Sequence, residues 1–271
     1  MKVLNQTIKN LFSTKRPVES VEALEKIRPK MPFAPMPCSN CGKCSDVCET
    51  NAIVIEDRWR IDIGKCILCG NCIDVCEEKA IEWTDAPDYS LSRSGLIFIS
   101  GESTERMKEL LDEPIRKRLG RSLDIREIDT GSCNACEVEV NALSNQFYDM
   151  NRFGIKVVAS PRHADILLIT GPLTENMYDA LISAIKATPD PKILIAMGTC
   201  AISGGIFADG KVIGQGISET VGVNMFIPGC PPSPDRLIRS LLAAFGSTDH
   251  YYSALRTPDN VFRNTSGNNT V

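Results

Sequence analysis

The 271-residue sequence predicts a small N-terminal α+β unit followed by an α/β domain with a mainly parallel sheet. Three observations carry this prediction. A run of four cysteines occurs twice early in the chain, each run is followed by a short apolar segment, and strand-like and helix-like segments alternate from about residue 125 onward. Such alternation is typical of βαβ units and favours flavodoxin-like winding of the sheet.

Composition excludes several classes of protein. An apolar share of 43% is enough for a packed core, and a formal net charge of −4 argues against a nucleic-acid partner. No apolar run approaches the roughly 18 residues of a membrane span. The basic N-terminus lacks the apolar core of a secretory signal, so a chain without a leader or a transmembrane segment is expected.

Two cysteine runs share one spacing, C-x2-C-x2-C-x3-C, and the second run begins 28 residues after the first. This spacing is typical of bacterial two-cluster ferredoxins, in which three thiolates of a run bind one [4Fe–4S] cluster and the fourth, on the following helix, binds the other. The predicted ligands are Cys38, Cys41, Cys44 and Cys76 for cluster 1, and Cys66, Cys69, Cys72 and Cys48 for cluster 2.

Disulfides and zinc are the alternatives for these eight thiols. Disulfides need an oxidising compartment, for which the sequence gives no sign, and zinc sites usually separate two cysteine pairs by a long interval. The doubled spacing therefore favours iron–sulfur clusters. Glu49 and Glu77 stand where proline usually follows the last cysteine, and their charge is expected to disfavour cluster reduction.

Four further cysteines make up one more candidate site. They follow predicted strands at 125–128, 193–197 and 224–227. Because the carboxyl ends of parallel strands meet at one edge of a sheet, the loops that follow can deliver all four thiolates to one point. These thiols are Cys133, Cys136, Cys200 and Cys230, and zinc remains a competitor for them.

The remaining elements are predicted from periodicity and from helix-breaking residues. Pro114 is expected to kink or end a helix in the segment that joins the two parts. The predicted strands are 96–99, 155–159, 165–170, 192–197 and 223–227, and the predicted helices of the α/β domain are 134–149, 175–187 and 232–245.

These elements suggest five regions. Residues 1–35 form a basic amphipathic helix and a Pro-rich strap, and residues 36–85 form the two-cluster ferredoxin domain. Residues 86–124 form a linker with a helix. Residues 125–246 form the α/β domain, and residues 247–271 form a polar tail.

The segments around the last four cysteines resemble the small, electron-transferring subunit of [NiFe] hydrogenases. The likeness is strongest to the membrane-bound, energy-converting (group 4) branch that includes formate hydrogenlyase, and it is clearest in FGIKVVASPRHADILLITGP (153–172) and PDPKILIAMGTCAISGGIF (189–207). The N-terminal 85 residues resemble the ferredoxin-like subunit of the same enzymes, so the chain resembles a fusion of two neighbouring subunits. The related complex I subunit has two adjacent cysteines at its terminal cluster; here Cys133 and Cys136 are separated, which favours the hydrogenase branch.

The resemblance implies a third [4Fe–4S] cluster, the proximal one, held by the four C-terminal cysteines, and a role as an electron relay. It places the nickel–iron centre on a separate large subunit, so neither nickel nor a catalytic residue is expected in this chain. Membrane-arm subunits and a low-potential electron donor are the other implied partners. That donor would be a ferredoxin, a formate dehydrogenase module or a CO dehydrogenase module. The implied location is peripheral, on the cytoplasmic face of the cytoplasmic membrane.

Three other readings stay open. They are a complex I-like subunit that reduces a quinone, a soluble hydrogenase subunit linked to a flavin or coenzyme, and a zinc-binding scaffold. The resemblance also singles out Glu139 for a proton path toward the large subunit, and Arg162 and His163 as neighbours of the third cluster. The competing interpretation of these three residues is purely structural.

Overall fold

The structure is a computed structural model, and it describes residues 30–36, 38–104, 109–119 and 122–246. The described residues lie within one compact unit, Pro29–Tyr251. The predicted N-terminal helix and the predicted polar tail lie outside the described residues.

Two similar halves build the ferredoxin part. Each half contains a one-turn helix and then a short strand, as the repeated sequence predicts. Strands β1 and β4 pair with each other, and β2 and β3 pair with each other, both antiparallel. The elements are β1 (Lys30–Phe33), α1 (Lys43–Asp46), β2 (Ile53–Ile55), β3 (Trp59–Asp62), α2 (Asn71–Asp74) and β4 (Glu82–Asp85).

Aromatic side chains fill the space between these small sheets. Phe33 meets Trp59 edge-on at 5.9 Å between ring centroids, and it meets Phe98 at 6.5 Å. All three side chains are buried. Such edge-to-face packing stabilises a unit that has little other core.

The predicted strand of the joining segment appears as β5 (Ile97–Ile99), where it pairs antiparallel with β3. This part of the predicted linker therefore completes the ferredoxin sheet and buries Phe98. The next helix, α3 (Glu113–Leu119), carries Pro114 in its first turn. The prediction that Pro114 would kink or end a helix is wrong, because a first-turn residue needs no helical partner for its N–H.

The α/β domain is a five-stranded parallel sheet in the order β7-β6-β8-β9-β10. Numbered within the domain, this order is 2-1-3-4-5, the flavodoxin-like winding that the sequence predicts. The strands are β6 (Leu123–Asp129), β7 (Ile155–Val157), β8 (Ile166–Thr170), β9 (Ile193–Met197) and β10 (Met225–Ile227). The helices are α4 (Ala135–Ala142), α5 (Glu175–Ala187), α6 (Thr199–Ser203) and α7 (Pro234–Ala244).

Helix α4 ends well before its predicted limit at residue 149. The Asn145 side chain accepts hydrogen bonds from the N–H groups of Phe147 and Tyr148, at 2.8 and 3.0 Å. An asparagine that captures these donors offers the backbone a turn in place of a further helical turn.

Helix α7 holds the joining segment against the α/β domain. Arg236 donates to the carbonyl oxygens of Pro87 (2.5 Å) and Asp88 (3.1 Å), and burial lowers the pKa of this guanidinium to about 10. Arg239 pairs with Asp88 at 2.9 Å and with Asp235 at 2.5 Å, and its side chain is only 9% exposed. These buried contacts hold the segment at Pro87 and Asp88, which follows β4, against the α/β domain.

Candidate metal centres and their surroundings

The first candidate site is a pocket in the ferredoxin part. Four thiols line it together with the side chains of Lys43 and Glu77, and they are Cys38, Cys41, Cys44 and Cys76. Lys43 Nζ lies 2.6 Å from Glu77 Oε1, and this hydrogen bond lowers the pKa of Glu77. The negative charge that Glu77 was expected to place beside this site is therefore countered by a lysine.

The second candidate site is a more apolar pocket in the same part. Its lining includes Pro32, Val47, Ile53 and Ile61, and its thiols are Cys48, Cys66, Cys69 and Cys72. Each pocket thus draws three cysteines from one run and the fourth from the other, which is the pattern expected for ferredoxin clusters.

Local backbone geometry explains this exchange of the fourth cysteine. Helices α1 and α2 begin after Gly42 and Gly70, whose φ values of 87° and 85° favour glycine. Each helix contains the third cysteine of its run and ends two residues before the fourth. Cys48 and Cys76 therefore lie just beyond the helices, not on them as the sequence pattern predicts.

Backbone N–H groups point at several of these sulfur atoms. Ala52 donates to Cys48 Sγ (3.2 Å), Leu68 to Cys66 Sγ (3.4 Å) and Ala80 to Cys76 Sγ (3.3 Å). Such donors stabilise a thiolate over a thiol and raise the reduction potential of a bound cluster.

Burial works in the opposite direction on the free thiols. It raises the pKa of Cys66 and Cys72 to about 12, and it also raises the pKa of Cys44, an effect that the Trp59 indole opposes. Thiols with raised pKa values carry protons at neutral pH, so metal must displace those protons as it binds.

The third candidate site lies at the carboxyl edge of the parallel sheet, as predicted. Cys133 and Cys136 follow β6, Cys200 lies on α6 after β9, and Cys230 follows β10. The Thr199 hydroxyl, next to Cys200, donates to the carbonyl oxygen of Gly229, next to Cys230, and a Cβ at Gly198 would lie 2.7 Å from Cys136 Sγ. Burial raises the pKa of Cys136, and the charge of Glu137 and the thiols Cys200, Cys230 and Cys133 add to the effect. The fold thus brings together the four residues that the sequence singled out.

Two glycines leave room beside these sulfur atoms. A Cβ at Gly198 would lie 2.7 Å from Cys136 Sγ, and a Cβ at Gly205 would lie 3.0 Å from Cys200 Sγ. Both glycines also have positive φ values, of 89° and 54°. The donor set of thiols and this close backbone approach fit a bulky iron–sulfur cluster.

The second and third sites are directly connected. The Thr199 hydroxyl on α6 lies 3.0 Å from the carbonyl oxygen of Cys66, and the Ser203 hydroxyl lies 3.0 Å from that of Gly64. The charge of Cys230 contributes to the raised pKa of Cys66. The loop that carries a thiol of the second site therefore packs on the helix that carries a thiol of the third.

Two glutamates that the sequence pattern does not single out lie near the third site: Glu137 directly follows Cys136 on α4, and Glu127 lies on β6. Glu137 is 8% exposed, and its Oε2 accepts a 2.7 Å hydrogen bond from the Ser132 hydroxyl. The Oε1 atoms of both glutamates are buried without a hydrogen-bond partner. Glu139, the predicted proton-path residue, is half-buried on the same helix, α4, and keeps that role only as a prediction.

We expect Glu127 to make stability depend on pH. Burial, reinforced by Glu137 and Asp129 and opposed by Arg126, raises the pKa of Glu127 from 4.5 to about 7. The folded protein therefore favours the protonated carboxyl of Glu127. The stability that this group contributes is present in full below pH 4.5 and is lost as the pH rises through about 7. Glutamine does not ionise, so between pH 5 and 8 the free energy of unfolding of E127Q should fall by about 1–2 kcal/mol less than that of the wild type.

Melting curves of the purified chain at several pH values measure this effect. The exposed Glu175 provides the control, because glutamine at that position should leave the pH dependence as in the wild type. Identical pH dependence for wild type and E127Q would show that Glu127 ionises normally.

Arg162 and His163 require a correction. Both are exposed in a short 3₁₀ turn that leads into β8. The adjoining Asp165 accepts hydrogen bonds from the N–H groups of Asp124 and Ile193, at the amino-terminal ends of β6 and β9. The turn thus lies at the edge of the sheet opposite the cysteines, and the structure does not bring these two residues to the third site.

An apolar surface flanks the third site. Val138 on α4 is 57% exposed, and Ile206 and Phe207, just after α6, are 58% and 37% exposed. Cys133 and Cys230 are exposed as well. Exposed apolar side chains grouped around a site are typical of a protein interface.

Other findings concern metals and membranes. Within the described ranges, no three histidine, cysteine, aspartate or glutamate side chains converge around a single metal ion. No helix in the described part of the chain has the length and apolar character needed to cross a bilayer.

Two family models match the chain. Residues 133–244 match the model of the 20 kDa subunit of NADH–ubiquinone oxidoreductase, and residues 37–80 match the 4Fe–4S dicluster domain. The first match contains all four cysteines of the third site, and the second contains the eight cysteines of the two runs. Iron–sulfur clusters of the 4Fe–4S type are therefore the cofactor of the ferredoxin part.

Several curated relatives are subunits of oxidoreductase complexes. Formate hydrogenlyase subunit 7 of Escherichia coli is 45% identical over 48% of this chain and 51% of its own length. The probable membrane-bound hydrogenase subunit mbhJ of Pyrococcus furiosus is 41% identical over 47% of this chain and 77% of its own. An NADH-quinone oxidoreductase subunit of Citrifermentans bemidjiense is 43% identical over 40% of this chain and 62% of its own.

The chain belongs to the family of these oxidoreductase subunits, the complex I-like group 4 hydrogenase subunits, and it carries a dicluster ferredoxin domain ahead of the family domain. The predicted resemblance and the predicted fold class are thereby confirmed. The matched region spans about half the length of formate hydrogenlyase subunit 7.

Proposed function

We propose that this chain is the electron-relay subunit of a membrane-associated [NiFe] hydrogenase and that it holds three [4Fe–4S] clusters. The observation that carries the proposal is the contact between Thr199 and Cys66, which joins the loops of the second and third four-thiol sites. With the pocket of the first site in the same ferredoxin part, the three sites form a continuous series from the ferredoxin part to the α/β domain.

Each site supplies the ligands that one cluster needs. The ligand sets are Cys38, Cys41, Cys44 and Cys76; Cys48, Cys66, Cys69 and Cys72; and Cys133, Cys136, Cys200 and Cys230. When bound, such clusters supply outer-sphere transfer of single electrons. The surrounding residues hold the thiolates, exclude water and set the distances between neighbouring sites.

The third site is the proposed junction with the large subunit that would carry the nickel–iron centre. Val138, Ile206 and Phe207 offer that subunit an apolar surface beside the exposed Cys133 and Cys230. The ferredoxin part would accept electrons from a low-potential donor, and membrane-arm subunits would hold the complex on the cytoplasmic face of the membrane. The relatives named for membrane-bound and formate-linked enzymes support this assignment.

A quinone-reducing role is the second candidate, since the NADH-quinone oxidoreductase relative is 43% identical over part of the chain. The separation of Cys133 and Cys136 favours the hydrogenase role. A soluble flavin-linked or coenzyme-linked hydrogenase differs from our proposal in lacking membrane association, and a zinc scaffold differs in metal content.

Metal analysis of the native complex, purified anaerobically from membranes through a tag on this chain, tests the proposal. We expect about one nickel atom per chain and roughly thirteen or more iron atoms per chain, enough for three [4Fe–4S] clusters and a nickel–iron centre. Iron without nickel would favour the quinone-reducing role. Zinc in place of iron would exclude an electron relay.

We expect the Thr199 hydroxyl to matter for transfer between the second and third sites. Replacing Thr199 with valine removes the hydrogen bonds to the carbonyl oxygens of Cys66 and Gly229 but keeps the side-chain shape. If the loop of Cys66 then moves away from α6, donor-driven hydrogen production should slow severalfold, because electron tunnelling falls steeply with distance.

Thr188 offers a matched control. Its hydroxyl is also buried and bonded to a carbonyl, that of Ala184, but it lies at the end of α5. T188V should retain wild-type turnover with a comparable loss of stability. Equal turnover in T199V and T188V would mean that the Thr199 contact has no role in electron transfer.

A further inference from the structure

The indole of Trp59 presents an unexplained buried donor. The side chain is 0% exposed, and Nε1 has no hydrogen-bond partner among the described residues. A buried N–H that is left unbonded is costly, so native proteins seldom retain one without a partner such as an ion or a bound group.

The surrounding packing holds this indole in place beside the first site. Trp59 lies at the start of β3, where it pairs with Ile55 of β2, and the edge contact with Phe33 restricts its ring. Ile55 stands directly opposite Trp59 on the paired strands, so both side chains share one face, and Ile55 lines the pocket of the first site. Trp59 and Cys44 also belong to the same buried cluster. Cys44 in turn lines the pocket of the first site with three other thiols.

We propose that the Trp59 indole N–H donates a hydrogen bond to cluster 1, at the Cys44 sulfur or an adjoining sulfide, and thereby raises the reduction potential of that cluster. A donor to cluster sulfur stabilises the reduced state, which carries the greater negative charge. The inference rests on the proposed function, because it requires a [4Fe–4S] cluster among these thiols.

The other half of the ferredoxin part has no such donor at the corresponding position. The two cysteine runs are 28 residues apart (Cys38 to Cys66), and the same interval leads from Trp59 back to Met31. Met31 is also 0% exposed, but a thioether has no N–H to donate. The two ferredoxin clusters therefore differ in this interaction although their ligand patterns repeat.

The chain contains only two tryptophans, Trp59 and Trp83, which permits a specific test. Trp83 is 42% exposed on β4 and packs near Gly70, on the side of the second site. The full chain is labelled with ¹⁵N at the indole nitrogen and reduced, and pulsed EPR is recorded on the cluster 1 signal, which is identified by its absence in C76A.

The inference predicts a ¹⁵N coupling on the cluster 1 signal in wild type and in W83F, and its loss in W59F. Redox titration should show a more negative midpoint potential for cluster 1 in W59F alone, with the other clusters unchanged. If W59F fails to retain cluster 1, the coupling in wild type and W83F decides the matter by itself.

Two results would overturn the inference while leaving the proposed function intact. One is the absence of any ¹⁵N coupling in a wild-type chain that holds all its clusters. The other is an unchanged cluster 1 midpoint in a W59F chain that retains the cluster. A wild-type chain without [4Fe–4S] signals would overturn the proposed function together with this inference.

Discussion

Replacing Cys200 with alanine is expected to abolish donor-driven hydrogen production by the complex. Cys200 lies on α6, between the Thr199 contact to the ferredoxin part and the apolar surface at Ile206. Its loss should eliminate the [4Fe–4S] signal of the third site and remove up to about four iron atoms per chain. Iron analysis, EPR and hydrogen production of the purified complex measure these changes.

The matched variant C76A tests whether each effect is local. Cys76 belongs to the second cysteine run but lines the pocket of the first. C76A should therefore lose the cluster 1 signal and keep those of cluster 2 and the third site. Loss of the ferredoxin signals in C200A, or of cluster 2 in C76A, would contradict the assigned ligand sets.

Replacing Arg239 with alanine is expected to have the largest effect on stability. The guanidinium pairs with Asp88 and Asp235, whose side chains are only 27% and 7% exposed, and removing it takes away the cation that both carboxylates face. Breaking a buried pair in this way costs about 3–5 kcal/mol. In a chain of this size the melting temperature should fall by roughly 6–20 °C.

Thermal melts followed by circular dichroism and by cluster absorbance measure the Arg239 effect. Lys117 provides the control, since its pair with Glu113 is 75% and 65% exposed and such a pair contributes at most about 1 kcal/mol. Similar melting temperatures for R239A and K117A would show that the Arg239 ion pairs with Asp88 and Asp235 contribute little to stability.

Much of the fold and of the candidate sites follows from the sequence, because the relevant signals are local. The cysteine spacing places eight thiols in two pockets, and the alternation of strands and helices predicts the winding of the parallel sheet. The carboxyl edge of that sheet then brings Cys133, Cys200 and Cys230 together. Each of these inferences uses short-range pattern and a general rule of topology.

The remaining features depend on contacts between distant segments. Nothing near Ile97–Ile99 indicates that this strand joins β3, and the charges of Arg236 and Arg239 give no sign that helix α7 is buried. The resemblance places His163 beside the third site, whereas the register of β6 and β8 decides which edge of the sheet it occupies. Tertiary packing sets all of these.

Local capping accounts for the differences in helix length and position. Pro114 fits the first turn of α3, and Asn145 ends α4 by capturing two backbone donors. A periodicity of apolar residues does not distinguish a helix that continues from one that a side chain terminates.

The most direct test of the account is the order in which the clusters are reduced when hydrogen is the electron source. The native complex is mixed with hydrogen, frozen at successive times and examined by EPR. We expect the signal of the third site to appear first and the two ferredoxin signals later, with the delay lengthened in T199V. Reduction of the ferredoxin clusters in C200A as fast as in wild type would contradict a relay through the third site.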